Sequence, residues 1–130
     1  MQEQVVVTEA NGRAALEAAE RLARTLTRSA EYAAFERAQE AVHEDARARE
    51  MLRAFQELQW EQQANWWDGL GEERRKRLQG MWEEMNQYPV TADYLRAQDG
   101  LVDLFREVNS LLTEGLGFDY ASLCAPGCCG

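Results

Sequence analysis

The stretch Thr91-Ala92-Asp93-Tyr94-Leu95-Arg96-Ala97-Gln98-Asp99-Gly100-Leu101-Val102-Asp103-Leu104-Phe105-Arg106-Glu107-Val108-Asn109-Ser110-Leu111-Leu112-Thr113-Glu114-Gly115 decides the fold. Tyr94, Leu95, Gln98, Leu101, Val102, Phe105, Val108 and Leu112 form one long stripe at helical spacing. Leu104 and Leu111 widen it. Thr91 reads as the N-cap, Asp93 sits in the first turn, and Gly115 and Gly117 end the helix. The span from Ala92 to Gly115 would reach about 36 Å at about 1.5 Å per residue. A helix this long with so wide a stripe buries part of it against a partner.

Four further helices precede it. The first runs from about Thr8 to Thr27, with Ala15, Leu16, Ala19, Leu22, Ala23 and Leu26 on one face. Ser29 caps a second, whose face carries Tyr32, Phe35, Ala38 and Val42. A break near His43-Glu44-Asp45 lets Asp45 open a third, with Ala48, Leu52, Phe55 and Leu58, which ends near Asn65. Gly69-Leu70-Gly71 is the clearest internal breaker. Glu72 and Glu73 follow, at the positive end of a fourth helix bearing Leu78, Met81, Trp82, Met85 and Tyr88. Pro89 marks its end, because the residue before proline leaves the helical region.

The class is therefore all-α: an elongated bundle of about five helices, mostly long and antiparallel. Val5-Val6-Val7 alone cannot make a sheet. Residues 1–117 read as one helical domain and residues 118–130 as a short irregular tail. Phe55 and Phe105 lie centrally on their stripes and are expected to be buried, so that Phe105→Ala would cost about 3–5 kcal/mol. Trp82 is likewise expected in the core. Trp66 and Trp67 are adjacent and cannot both face one core, which points one of them, with Trp60 nearby, towards a subunit interface.

Composition narrows the partners. In 130 residues, 14 Lys and Arg face 23 Asp and Glu, for a net charge of −9. Such a chain is a poor direct ligand for nucleic acid or for an anionic membrane. No apolar run approaches a membrane span, and the N-terminus lacks the basic region of a signal peptide, so cytoplasmic localisation is expected. The one basic run, Arg74-Arg75-Lys76-Arg77, reads as a solvated helix face, with Glu72 pairing to Lys76 and Glu73 to Arg77. His43 is the single histidine, and no nucleophile or carboxylate motif accompanies it. The chain has no phosphate-binding loop, dinucleotide fingerprint or metalloprotease motif, and no catalytic residue is nominated.

The chemistry-bearing residues are Cys124, Cys128 and Cys129, all within the last seven positions. Pro126 and Gly127 bend the chain between them. Thiolates suit zinc, copper(I) or iron–sulfur clusters. Zinc and a cubane cluster commonly take about four protein ligands. Three cysteines fall short, so another chain, a second copy or a small molecule would complete the set. A mobile tail of surface thiols, an adventitious metal site, and thiol redox chemistry without a CxxC pair at a helix start are the other readings.

Several segments are similar to one known family. Ser29-Ala30-Glu31-Tyr32-Ala33-Ala34-Phe35, Leu52-Arg53-Ala54-Phe55-Gln56-Glu57-Leu58-Gln59, Tyr94-Leu95-Arg96-Ala97-Gln98 and Leu104-Phe105-Arg106-Glu107-Val108-Asn109 resemble successive helices of the YlbF/YmcA regulators. Gly117-Phe118-Asp119-Tyr120-Ala121, followed by the three cysteines, resembles the tail of its YlbF branch. The resemblance covers nearly the whole chain. It implies a non-catalytic regulator that assembles with YmcA-like and YaaT-like subunits. It further implies a shared 4Fe-4S cluster on Cys124, Cys128 and Cys129, with zinc as the alternative metal and a flavin elsewhere in the complex. Such a complex acts on endoribonuclease Y to promote mRNA maturation in competence, biofilm and sporulation control. The isolated chain is expected to be a homodimer.

Overall fold

The computed structural model describes residues 9–123. Its helices are α1 (Glu9–Thr27), α2 (Ala30–Glu44), α3 (Ala46–Ala64), α4 (Gly71–Gln87) and α5 (Pro89–Leu116), followed by a one-turn 3-10 helix at Tyr120–Leu123. No strand occurs among the described residues. The expected all-α bundle of five helices is the observed one.

Local chemistry sets the boundaries. The Ser29 hydroxyl accepts from the Tyr32 N–H at 3.1 Å and donates to Leu26 O at 2.7 Å, closing α1 and opening α2 in one turn. Asp45 serves twice. Its backbone N–H donates to Val42 O, ending α2, and its Oδ1 accepts from the Ala48 N–H at 3.0 Å, starting α3. Gly117 ends α5 in the left-handed region at φ 79, which favours glycine.

The start of α5 differs from the sequence expectation. Tyr88 is extended, as a residue before proline should be, but Pro89 itself is the first residue of α5. Its missing N–H is one that no helix start would satisfy, and its fixed φ suits that position. Thr91 is therefore inside the helix. It is fully buried, and its hydroxyl meets Met85 O at 2.5 Å and Tyr88 O at 3.0 Å, tying α4 to α5.

Two hairpins share one corner. The Tyr88 hydroxyl donates to Asp45 Oδ2, so the α2–α3 junction meets the α4–α5 junction. Arg47 covers the Tyr88 ring, its guanidinium carbon 4.8 Å from the centroid. Since α2 ends and α5 begins at this corner, the two run antiparallel, with Phe35 against Tyr94 at 5.6 Å between centroids. By the same logic α3 and α4 are antiparallel. The core between them is thin: Ala38, Val42, Ala48, Leu58, Met85, Leu95 and Leu101 are the buried apolar side chains among the described residues.

The shared corner makes a pH prediction. The Tyr88 hydroxyl, and then the Ala48 N–H, hold the Asp45 carboxyl below its ordinary value of 3.8. A lowered folded value stabilises the fold above the unfolded pKa, and this contribution is lost as pH falls through the folded value. The parent should therefore lose more Tm than Asp45→Asn between roughly pH 6 and roughly pH 3. Parallel Tm–pH profiles in thermal melts would remove Asp45 from the acid response.

Candidate interaction surfaces

The exposed faces are the informative part of the molecule. At about 1.5 Å per residue, α5 is about 42 Å long and α2 about 22 Å. Starting from a common corner, α5 overshoots α2 by about 20 Å. Val102, just before that overhang, and Phe105, Leu112 and Leu116 along it are exposed. Their separations of three, seven and four residues place them on one face, with Asn109 completing a three–four alternation. Phe105 is 43% exposed, against the expectation that it is core. The stripe is apolar as expected, but its outer half stays partly uncovered among the described residues. Phe55, on the inner part of its own stripe, is half-buried.

The first helix is barer still. It contains no buried residue, and Leu16 is 70% exposed. A helix of this length without tertiary packing is marginal in water, so α1 also calls for a partner surface.

A third apolar surface lies at the opposite end of the hairpin, in the turn between α3 and α4. Trp60, Trp66 and Trp67 are 68%, 78% and 70% exposed. Trp82 is 40% exposed, so the expectation that it is core is corrected: its ring lies against Phe55 at 6.0 Å between centroids and covers the core from outside.

The basic run also differs from expectation. Arg74 is buried, not solvated. Its guanidinium donates to Asp68 Oδ2 at 2.7 Å, to Asp68 Oδ1 at 2.9 Å and to Asn65 O at 2.9 Å, and its Nε donates to Gln62 Oε1 at 2.7 Å. Gln62 in turn donates to Gly71 O at 3.0 Å, and Asp68 Oδ1 accepts the Leu70 N–H at 2.9 Å. Arg74, followed by the Leu70 N–H, draws the Asp68 carboxyl below its usual range, and Asp68 raises the Arg74 guanidinium. Glu72 pairs with Arg75 three residues on, and not with Lys76. The run is split between a structural bracket and a surface pair.

Beyond α5, Asp119 organises the chain leading to the tail: its Oδ1 accepts the Ala121 N–H at 3.1 Å, and its backbone O accepts the Ser122 hydroxyl at 2.6 Å. Phe118 and Leu123 are exposed there. Cys124, Cys128 and Cys129 lie outside the described residues. Among the described residues, no group of three or more His, Cys, Asp or Glu side chains is arranged to hold a metal ion. None of the described helices is long and apolar enough to cross a membrane. His43, in the last turn of α2, offers its carbonyl to Arg49.

The family profile described as "Control of competence regulator ComK, YlbF/YmcA" matches residues 15–117. The chain belongs to the YlbF/YmcA family. The match takes in the last part of α1, all of α2 to α4, and α5 to its glycine cap. No curated protein sequence matches the chain significantly. Among solved structures, the chain is similar to a chain of the X-ray crystal structure of Bacillus subtilis RicA in complex with RicF. The TM-score is 0.58 at 18% identity, with 78% of this chain and 92% of that one covered. At that identity the likeness concerns the YlbF/YmcA fold alone.

Proposed function

We propose that this YlbF/YmcA-family chain is a non-catalytic regulatory subunit. In this reading it assembles with YmcA-like and YaaT-like subunits, and its complex modulates endoribonuclease Y-dependent mRNA maturation. The observation that carries the reading is the uncovered apolar face of α5, in a family of competence regulators. The solved relative was crystallised as a complex of RicA with RicF, which supports protein partners of the same kind. Self-pairing through this face gives a homodimer when the chain is alone, with assembly in the cytoplasm.

The tail is the second part of the proposal. Cys124, Cys128 and Cys129 form a soft donor set that fits an iron–sulfur cluster and falls short of the roughly four ligands a cubane takes. Closing the set with a partner's ligand would make assembly and cluster binding depend on each other. A bound cluster supplies a redox-responsive link between chains. In a chain of net charge −9, three bare thiolates are unfavourable at neutral pH, and a cationic centre relieves them. A flavin belongs to the complex and is not assigned to this chain.

The test is Cys124→Ser, Cys128→Ser and Cys129→Ser together, purified anaerobically with the partners. Helicity by far-ultraviolet circular dichroism should be unchanged, while the brown absorption and the iron and sulfide content disappear and assembly weakens. If the triple variant assembles as tightly as the parent, the cysteines are incidental and the chain is a helical oligomerisation module. A colourless parent containing zinc replaces the cluster by a zinc site.

A further inference from the structure

Two apolar faces of one chain stay uncovered at the same end. From the shared corner α2 and α5 extend side by side, so the first turn of α2 stands where the α5 overhang begins. There the Arg28-Ser29 turn joins α2 to α1. It is bonded on both sides: the Arg28 N–H donates to Thr25 O, the Ser29 N–H donates to Leu26 O, and the Ser29 hydroxyl accepts the Tyr32 N–H. The turn sets the direction in which α1 leaves the body. In that direction α1 leaves the overhang open: Leu16 is exposed on α1, and Phe105, Leu112 and Leu116 are exposed on α5.

The two faces differ in relief, and the difference is complementary. Along the overhang Phe105, Leu112 and Leu116 are large knobs. On α1 the exposed apolar face is Ala15, Leu16, Ala19 and Ala23, mostly small side chains. Knobs on one helix need shallow holes on the other, whereas two overhangs laid together would set large side chains against large ones. Area points the same way. The overhang alone is a strip about 20 Å by about 10 Å, or about 200 Å². A stable interface buries about 500 Å² or more on each side. The 19 residues of α1 add a strip about 28 Å long, or about 280 Å², which brings the two faces of one copy close to that threshold.

We propose that α1 of one copy lies on the α5 overhang of a second copy, and that the second copy's α1 does the same in return. The contact is isologous: each α1 and each overhang is used once, so the assembly closes at two chains. The inference rests on the self-pairing proposed above and names the element that the overhang meets.

The test compares full-length variants by light scattering over a range of concentrations. Leu16→Glu with Ala19→Glu should raise the dimer dissociation constant about a hundredfold or more, as buried unpaired carboxylates do. Both positions are exposed in the single chain, so circular dichroism should change little. Phe105→Glu with Leu112→Glu should have an effect of the same order. If the α1 variant stays as dimeric as the parent while the overhang variant is monomeric, α1 lies outside the interface: the inference fails and the self-pairing of α5 stands. A parent that is monomeric at every concentration overturns both. Cross-linking tests the contact itself. In a Cys124→Ser, Cys128→Ser and Cys129→Ser background, one preparation carries Leu16→Cys and another Leu112→Cys, each near the middle of its face. Equilibrated together, the two should be joined by a short bismaleimide into a two-chain product, well above the yield of either alone. Reaction confined to Leu112→Cys would pair overhang with overhang and overturn the proposal. With both substitutions in one chain, a cross-link at single-chain mass would put α1 on its own overhang and overturn it equally.

Discussion

Met85→Ala should destabilise the chain by about 2–5 kcal/mol, the range for truncating a buried Met to Ala. Met85 is 1% exposed and is the largest side chain buried so completely among the described residues. Its carbonyl also receives the Thr91 hydroxyl that joins α4 to α5. A domain of this kind is stable by about 5–15 kcal/mol, so one such cavity removes a large share. Urea unfolding followed by circular dichroism measures it. A midpoint equal to the parent's would mean that the four-helix corner is not held by this residue.

The opposite behaviour is expected on the overhang. Phe105→Glu with Leu112→Glu should leave the isolated fold intact and abolish self-association. Both positions are 43% exposed, so an added carboxylate reaches water in the monomer. In an assembly the same carboxylates would be buried without partners, at a cost of several kcal/mol, enough to move a micromolar dimer out of reach. The overhang already carries Glu107 and Glu114 against Arg106, which adds repulsion. Light scattering should give a monomer of 14.9 kDa for the variant and twice that for the parent. A parent that stays monomeric at all concentrations would refute the homodimer, and a variant that remains dimeric would place the contact elsewhere.

The helices were legible because their punctuation is local. Ser29, Asp45 and Gly117 act within three or four residues of themselves, and sequence reading found all three. Pro89 was found as a boundary but given to the wrong side, since the same residue that ends one helix can begin the next. The stripes were legible as apolar, yet periodicity does not say which chain covers them. This is why Phe105 and Trp82 were placed in the core. Arg74 was hidden for a different reason: its partners lie six, nine and twelve residues away, across a turn, and none of those spacings marks a helix face. A Gln in the last turns of one helix, an Asp before Gly in the turn, and an Arg at the start of the next helix is the signal that could have shown it. The proposed cysteine site rests on donor type and number alone, because Cys124, Cys128 and Cys129 lie outside the described residues.

The bare α1 has a consequence for how the chain reports on its surroundings. With no buried side chain, α1 opens independently of the α2–α5 body, so its amide protons should exchange with deuterium quickly in dilute solution. Covering it would add protection there and almost nowhere else. Deuterium uptake at residues 9–27 should therefore track protein concentration and partner content, while the amides around Met85 and Leu95 stay insensitive to both. The first helix is in effect an occupancy gauge: a segment whose order is supplied from outside, and which a protease would read as an address for unassembled chains.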